Sequence, residues 1–256
     1  MPTAPAELVV RAAGFTPVKG MRHRPHDQVL LDEEGALGDR AWCLVDLGAR
    51  RVLRTVAHPR LVGVLATVDD WDLTLRLPDG RSATGIPAPS GEQVTCDYWG
   101  RQVDVALTAG PHAELVSDWL GTDVRLAAAP RGGVVFGSPV TLLGTASLAD
   151  LARRAGRPTL VEEAARFRST LVVATDQPYV EDTWTGQEVR VGEAVLRIGA
   201  PVPRCAVVDH HPVSGVRDVR LLQLLAGHRP LNAAREPVLG VHATCVRPGA
   251  VAATAG

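Results

Sequence analysis

Leu73-Thr74-Leu75-Arg76-Leu77, followed at once by Pro78-Asp79-Gly80, sets the architecture. Leucine at every second position gives an extended chain one apolar face, with Thr74 and Arg76 on the other. A helix of 3.6 residues per turn would scatter those leucines around its circumference. Pro78 presets φ, Asp79 offers a side chain that bonds to nearby backbone, and Gly80 tolerates positive φ, so the run is predicted to turn back as a β-hairpin.

The same pattern recurs outward from this hairpin. Strands are predicted at residues 8–11, 41–46, 61–68, 93–96 and 103–107, a spacing that fits a small barrel or curled sheet. A helix follows over 111–120, with Leu115, Trp119 and Leu120 on one face and Gly121 as its stop. After a strand at 124–127, the Pro- and Gly-bearing stretch 129–139 reads as a mobile loop or domain connection.

Farther on, Ser147 and Asp150 read as a capping box for a helix over 148–154. Further strands are predicted at 170–174, 188–191, 194–198 and 242–246, with an acidic turn at 179–186. A late helix at 218–226 carries Leu221, Leu222 and Leu225 and is ended by Gly227. Residues 251–256 read as a frayed tail. The fold class is mainly β with α (α+β), divided loosely at residues 1–125 and 126–250.

Composition narrows the function. Lys+Arg 27 against Asp+Glu 28 leaves a net charge of -1 over 256 residues, so no overall field favours nucleic acid or an anionic membrane as partner. Cys43, Cys96, Cys205 and Cys245 lie far apart with no CxxC pair, which removes zinc ribbons and ordinarily spaced iron–sulfur sites. No secretory signal or membrane span is read, and a reducing cytoplasm with four free thiols is the expected setting. Cys43 and Cys245 fall in apolar strand patterns as core thiols, Cys96 is expected to be partly exposed, and Trp42 and Trp184 are read as packing residues.

Gly199-Ala200-Pro201-Val202-Pro203-Arg204-Cys205 is the stretch richest in chemistry. Two prolines remove backbone donors and fix φ, so the chain leaves its sheet in one defined shape and delivers a cysteine beside an arginine. A neighbouring guanidinium favours the thiolate, which attacks electrophiles or binds soft metals. The spacing fits equally a buried cysteine acting as a small hydrophobe. Lys19, Arg40 and Arg168 sit at loop-to-strand junctions, where charged donors and free backbone N–H groups can clamp a phosphate; each taken singly also fits a solvated surface charge.

Together these pieces resemble the MOSC superfamily, named for the molybdenum cofactor sulfurase C-terminal domain. The likeness is to its two-part members related to the mitochondrial amidoxime reducing component. It is carried by Thr16-Pro17-Val18-Lys19, Gly38-Asp39-Arg40-Ala41-Trp42, His58-Pro59-Arg60-Leu61, Ala146-Ser147-Leu148-Ala149-Asp150-Leu151, Arg166-Phe167-Arg168, Glu181-Asp182-Thr183-Trp184, and Pro203-Arg204-Cys205 with Gly215 in register. The resemblance covers nearly the whole chain. It implies an N-terminal β-barrel-like domain packed on a MOSC β-barrel domain with a few short helices.

The resemblance also implies a molybdenum-molybdopterin cofactor, with Lys19 and Arg40 on the phosphate, Arg168 on the pterin, Arg204 as a further anchor and Cys205 as the metal ligand. The implied reaction is reduction of an N–O bond in a small N-hydroxylated substrate, with electrons from an external ferredoxin- or cytochrome-like donor. Two alternatives keep the scaffold: a molybdenum-independent enzyme that uses Cys205 for sulfur transfer or as a nucleophile, and a non-catalytic cofactor carrier.

Departures from the family pattern cluster near the implied pocket. Ser169-Thr170 stand where the family has Pro-Asn, losing a rigid proline and an amide that could contact the pterin, with Thr170 kept as a cofactor-binding candidate; Gly20 stands for a serine but still offers its N–H to an anion. The loop after Cys205 carries His210 and His211, which could bind metal or deliver protons, or simply face solvent. Asp182 is a further candidate for proton delivery, or an acidic residue of a turn.

Overall fold

The hairpin forms as its sequence dictates. Asp72–Arg76 pairs antiparallel with Leu65–Asp69 on one side and with Ser82–Gly85 on the other. Leu73 and Leu75 are fully buried, and Gly80, at φ 91°, donates its N–H to the Leu77 carbonyl at 3.1 Å. The computed structural model describes residues 3–254. Strand exceeds helix by about two to one, about 41% against 20%, as the mainly-β reading requires.

Five strands close into a barrel: Ala88–Tyr98, Arg101–Ala109, Arg125–Ala128, Trp42–Asp46 and Arg51–Val52. Its seam is the parallel pairing of Asp97 with Arg51. Alternation along Trp42–Asp46 serves two cores at once. Cys43 and Val45 fill the barrel with Val105 and Tyr98. Leu44 points outward into a second core that holds Leu73, Leu75 and, from the helix His112–Leu120, Val116.

The other half is built on a seven-stranded sheet in the order Glu188–Val191, Ala194–Pro203, Val238–Arg247, Val140–Gly144, Leu171–Val173, Val10–Phe15 and Arg24–His26. Val140–Gly144 and Leu171–Val173 are parallel, joined by a crossover through the helix Thr145–Arg154 and the 3-10 segment Pro158–Phe167. Leu142 joins the core on one face of the sheet; Leu143 joins Leu148, Leu160, Phe167 and Leu221 on the other.

Two strands from the start of the chain therefore lie in the sheet of the far half. A third, Gln28–Asp32, pairs with Gly249–Ala252. A cut at residue 125 passes through the barrel strand Arg125–Ala128, because strand pairing here joins residues distant in sequence. The interleaving carries the loop holding Lys19, between Val10–Phe15 and Arg24–His26, toward the C-terminal half.

Several local expectations are corrected. The tail is not frayed where it is described: Val251 is fully buried in a strand, and Thr254 donates from its N–H and its hydroxyl to the Val10 carbonyl. Ala255 and Gly256 lie outside the described residues. Cys96 is buried because its side chain points into the barrel. Residues 59–63 form a 3-10 turn before the strand begins at Leu65, and the late helix runs Leu221–His228, passing through Gly227. The acidic segment contains a 3-10 turn, Val180–Trp184, with Trp184 packed in the core. No helix among the described residues is long and apolar enough to cross a membrane.

The capping box does not form. The helix starts at Thr145 after Gly144, so Ser147 already lies inside it. Its hydroxyl donates to Glu181 at 2.7 Å and accepts the Tyr179 N–H at 2.7 Å, and Glu181 also accepts the Gly144 N–H at 3.0 Å. Asp150 instead pairs with Arg153 and Arg154 and accepts the Tyr179 hydroxyl at 2.6 Å. Burial drives the Glu181 pKa upward, and the donors from Ser147 and Gly144 oppose the shift. Ser147→Ala strips donors and acceptors from buried partners, so it is expected to cost about 1–3 kcal/mol of stability in urea denaturation.

Candidate functional site

A single cavity, enclosing about 960 Å³ of open space out to its solvent mouth, lies where the barrel meets the seven-stranded sheet. Lys19, Arg40, Arg168, Thr170, Arg204 and Cys205 all line it. They come from four segments spread over 187 positions of sequence and are brought together by pairing between distant strands.

On the barrel side, residues 16–19 run beside residues 40–42. The Arg40 N–H donates to the Thr16 carbonyl at 2.7 Å, that of Trp42 to Pro17 at 3.0 Å, and that of Lys19 to Trp42 at 2.8 Å. These bonds hold Arg40 in the left-handed region, at φ 49°, a conformation that persists only where its surroundings impose it. Asp39 pairs with the Arg40 guanidinium, and the Lys19 ammonium stands 5.4 Å from the centroid of the Tyr98 ring.

On the sheet side, Arg168 caps the segment Pro158–Phe167 in the left-handed region, at φ 54°. One terminal guanidinium nitrogen donates to the Met21 carbonyl at 2.7 Å; the other terminal nitrogen is buried with no partner. Arg204 donates to the Leu239 and Phe167 carbonyls at 2.9 and 2.7 Å, and it too keeps one buried nitrogen unpaired. Gly240, at φ 70°, leaves the space that group needs, since a Cβ there would lie 3.3 Å from the unpaired nitrogen. Two orphaned cationic donors at one cavity are costly to leave unmet and call for an anion.

The electrostatics agree. Burial, with repulsion from Arg40 and Arg168, lowers the Lys19 pKa to about 7, and burial lowers Arg168 and Arg204 to about 10. The Cys205 sulfur acts in the opposite direction on all three, placing the thiol within electrostatic reach of each cation. Cys205 itself is half-buried, extended at φ -115°, where the strand Ala194–Pro203 has ended. The donor set is thus several fixed cations and one soft ligand, which fits a phosphorylated group bearing a thiolate-binding metal.

Not every expected residue is here. Gly20, at φ 88°, faces Thr55 and Leu61, and does not line the cavity. Asp182 pairs with Arg229 outside it. His210 is turned back on the Ala206 carbonyl, and His211 lies against Glu163 and Asp218, so neither lines the cavity. Thr170 is committed to a reciprocal pair with Thr141: each N–H donates to the other's hydroxyl, at 3.1 and 3.2 Å.

Sequence reading missed Arg54, Trp99, Phe136, Glu236 and His242, all of which line the cavity. Phe136 lay in the loop already singled out, and Trp99 sat beside a glycine between two predicted strands. His242 gave no signal, being one residue of a strand; its ring packs over Gly137, and burial and Arg204 lower its pKa to about 4.

Comparison with known proteins adds two family matches: the MOSC domain over residues 115–255 and the MOSC N-terminal beta barrel domain over residues 9–123. The chain is 25% identical over 220 residues to a molybdenum cofactor sulfurase of Caenorhabditis elegans, covering 83% of this chain and 30% of that protein. It is 27% identical over 246 residues to human mitochondrial amidoxime-reducing component 1, covering 85% of this chain and 71% of that protein. The chain therefore spans about a third of the sulfurases it matches. Among solved structures, the YUAD protein from Bacillus subtilis is 10% identical, with coverage of 96% of this chain and 91% of that chain and a TM-score of 0.44.

The Lys19 shift has a measurable consequence. The unfolded chain keeps this proton up to its ordinary 10.5, and the folded, ligand-free protein releases it near 7. Between those values the unfolded state binds more protons, so the Lys19 contribution to stability rises with pH. Lys19→Met is expected to melt higher than the parent at pH 6, with the gap narrowing toward pH 9. A gap independent of pH contradicts the assignment.

Proposed function

The chain belongs to the MOSC family, with the N-terminal β-barrel domain beside the MOSC domain, and we propose that it is a molybdenum-cofactor oxidoreductase reducing the N–O bond of small N-hydroxylated molecules. The observation that carries the reading is the meeting, in one cavity, of a half-buried thiol with arginines whose buried donors are unpaired. The name of the human relative supplies the reaction class.

When bound, the molybdenum cofactor would supply two-electron redox chemistry that no side chain offers. Cys205 would be the protein ligand to the metal. Lys19 and Arg40 on the barrel side and Arg168 on the sheet side would hold the phosphorylated pterin, with Arg204 as a further anchor. Because both arginine donors are preplaced by backbone carbonyls, little side-chain freedom is lost on binding. A dianionic phosphate would also draw the Lys19 proton back, since the charged amine regains a partner.

The overall reaction is N-hydroxy compound plus two electrons plus two protons, giving the N–H compound and water. The N–O bond breaks, nitrogen is reduced and the oxygen leaves as water. Electrons would come from an external ferredoxin- or cytochrome-like protein. A second reading, in which the same cavity holds and hands over the cofactor without turnover, is compatible with the sulfurase relatives, whose name ties them to the same cofactor.

The first reading predicts about one molybdenum per chain after cofactor-replete expression, and turnover of an amidoxime with a reduced dye as donor. Cys205→Ala is expected to lose metal and turnover while melting like the parent. Molybdenum without turnover supports the carrier, and no molybdenum in the parent protein overturns both.

A further inference from the structure

Three side chains that line the cavity have no part in the cofactor reading above: Arg54, Trp99 and Phe136. Trp99 and Phe136 are 42% and 46% exposed, their ring centroids 5.3 Å apart at an interplanar angle of 58°. The Arg54 guanidinium covers one face of the indole, 4.6 Å from the ring centroid. They come from separate segments, and all line the cavity that contains Cys205.

The backbone singles out Trp99. Tyr98 pairs with Arg101, so Trp99 and Gly100 are the two central residues of a tight hairpin turn, at φ 56° and φ 79°. Such a turn takes Asn, Asp or Gly at its first central position, because a bulky side chain at positive φ is strained. A half-exposed tryptophan there is disfavoured both by its conformation and by its contact with water. Strain of this kind is retained where a site requires it.

Arg54 adds a charge to this group. Among the described residues it has no ion pair, and its stacking on Trp99 leaves the N–H edge of the guanidinium available. A stacked guanidinium in this state suits a carboxylate, which can accept two parallel hydrogen bonds. The cations deeper in the cavity add an attractive field for an anionic ligand.

We infer that Trp99, Phe136 and Arg54 form the substrate subsite of this cavity, selecting a flat aromatic ring that carries a carboxylate. The inference rests on the reductase reading for the identity of the reacting group, which is directed inward toward Cys205. The ring packs on the two exposed aromatics, and the carboxylate meets Arg54.

The test uses the cofactor-loaded enzyme with para-carboxybenzamidoxime, benzamidoxime and acetamidoxime as substrates. Arg54→Ala is expected to lower the preference for the carboxylated over the plain ring, in kcat/KM, by about tenfold. Trp99→Ala and Phe136→Ala are expected to lower the preference for ring over methyl by about tenfold. Trp99→Asn suits the turn, so it should melt no lower than the parent and lose the same preference.

Binding of unreactive para-carboxybenzamide, measured by calorimetry with and without cofactor, should weaken in parallel. Preferences and binding unmoved by these variants overturn the inference, as does loss of molybdenum from the Trp99 and Phe136 variants, which would make the mouth part of the cofactor site. If the parent protein turns over none of the amidoximes, the reductase reading fails while the binding series still decides the subsite.

Discussion

Cations gathered around one cavity with too few counterions are the constraint on which the rest of the structure depends. Lys19, Arg40, Arg168 and Arg204 converge there, and Asp39 is the carboxylate that pairs directly with one of them. Mutual repulsion and lost hydration both oppose this arrangement. It stands because the guanidinium groups of Arg168 and Arg204 are tied to backbone carbonyls, at Met21, Leu239 and Phe167. Those carbonyls hold the charges in place without neutralising them, so the cavity stays primed for an anion.

The topology makes those ties possible. Val10–Phe15 and Arg24–His26 extend the sheet of the C-terminal half, and Arg168 reaches across to Met21 in the loop between them. The same loop runs beside residues 40–42 of the barrel, so Lys19 is fastened to both halves. A shift of either half against the other would spoil the spacing of the cations. The positive φ angles at Arg40 and Arg168 fall where these constraints meet.

Residues of one type meet different fates here, and local sequence does not separate them. Arg168 faces the cavity, but Arg166, two positions earlier, is buried in a network with Glu163 and Asp218. His242 lines the cavity; His210 and His211, beside the predicted ligand, do not. Asp182 is claimed by Arg229, a partner 47 positions away. Arg166 and Asp182 are held by Asp218 and Arg229, 52 and 47 positions away, and a sequence window contains no such neighbour. The capping box failed for the same reason, since Glu181, 34 positions away, took the Ser147 hydroxyl.

Periodicity and turn chemistry are local, so the hairpin at residues 73–80, four of the five barrel strands and the helix His112–Leu120 could be read from the chain alone, while the short strand Arg51–Val52 could not. Short motifs likewise marked Lys19, Arg40, Arg204 and Cys205, because the backbone shapes that present them leave proline and glycine signatures, whereas Arg168 was marked by its Arg-Phe-Arg motif alone. Tertiary structure alone decided that the first strands join the last sheet, that residues 249–252 are paired, and that Arg54, Trp99 and Phe136 share one mouth. Strand pairing is blind to distance along the chain: hydrogen bonds between backbones carry no residue identity, and the partner is selected only when whole faces pack.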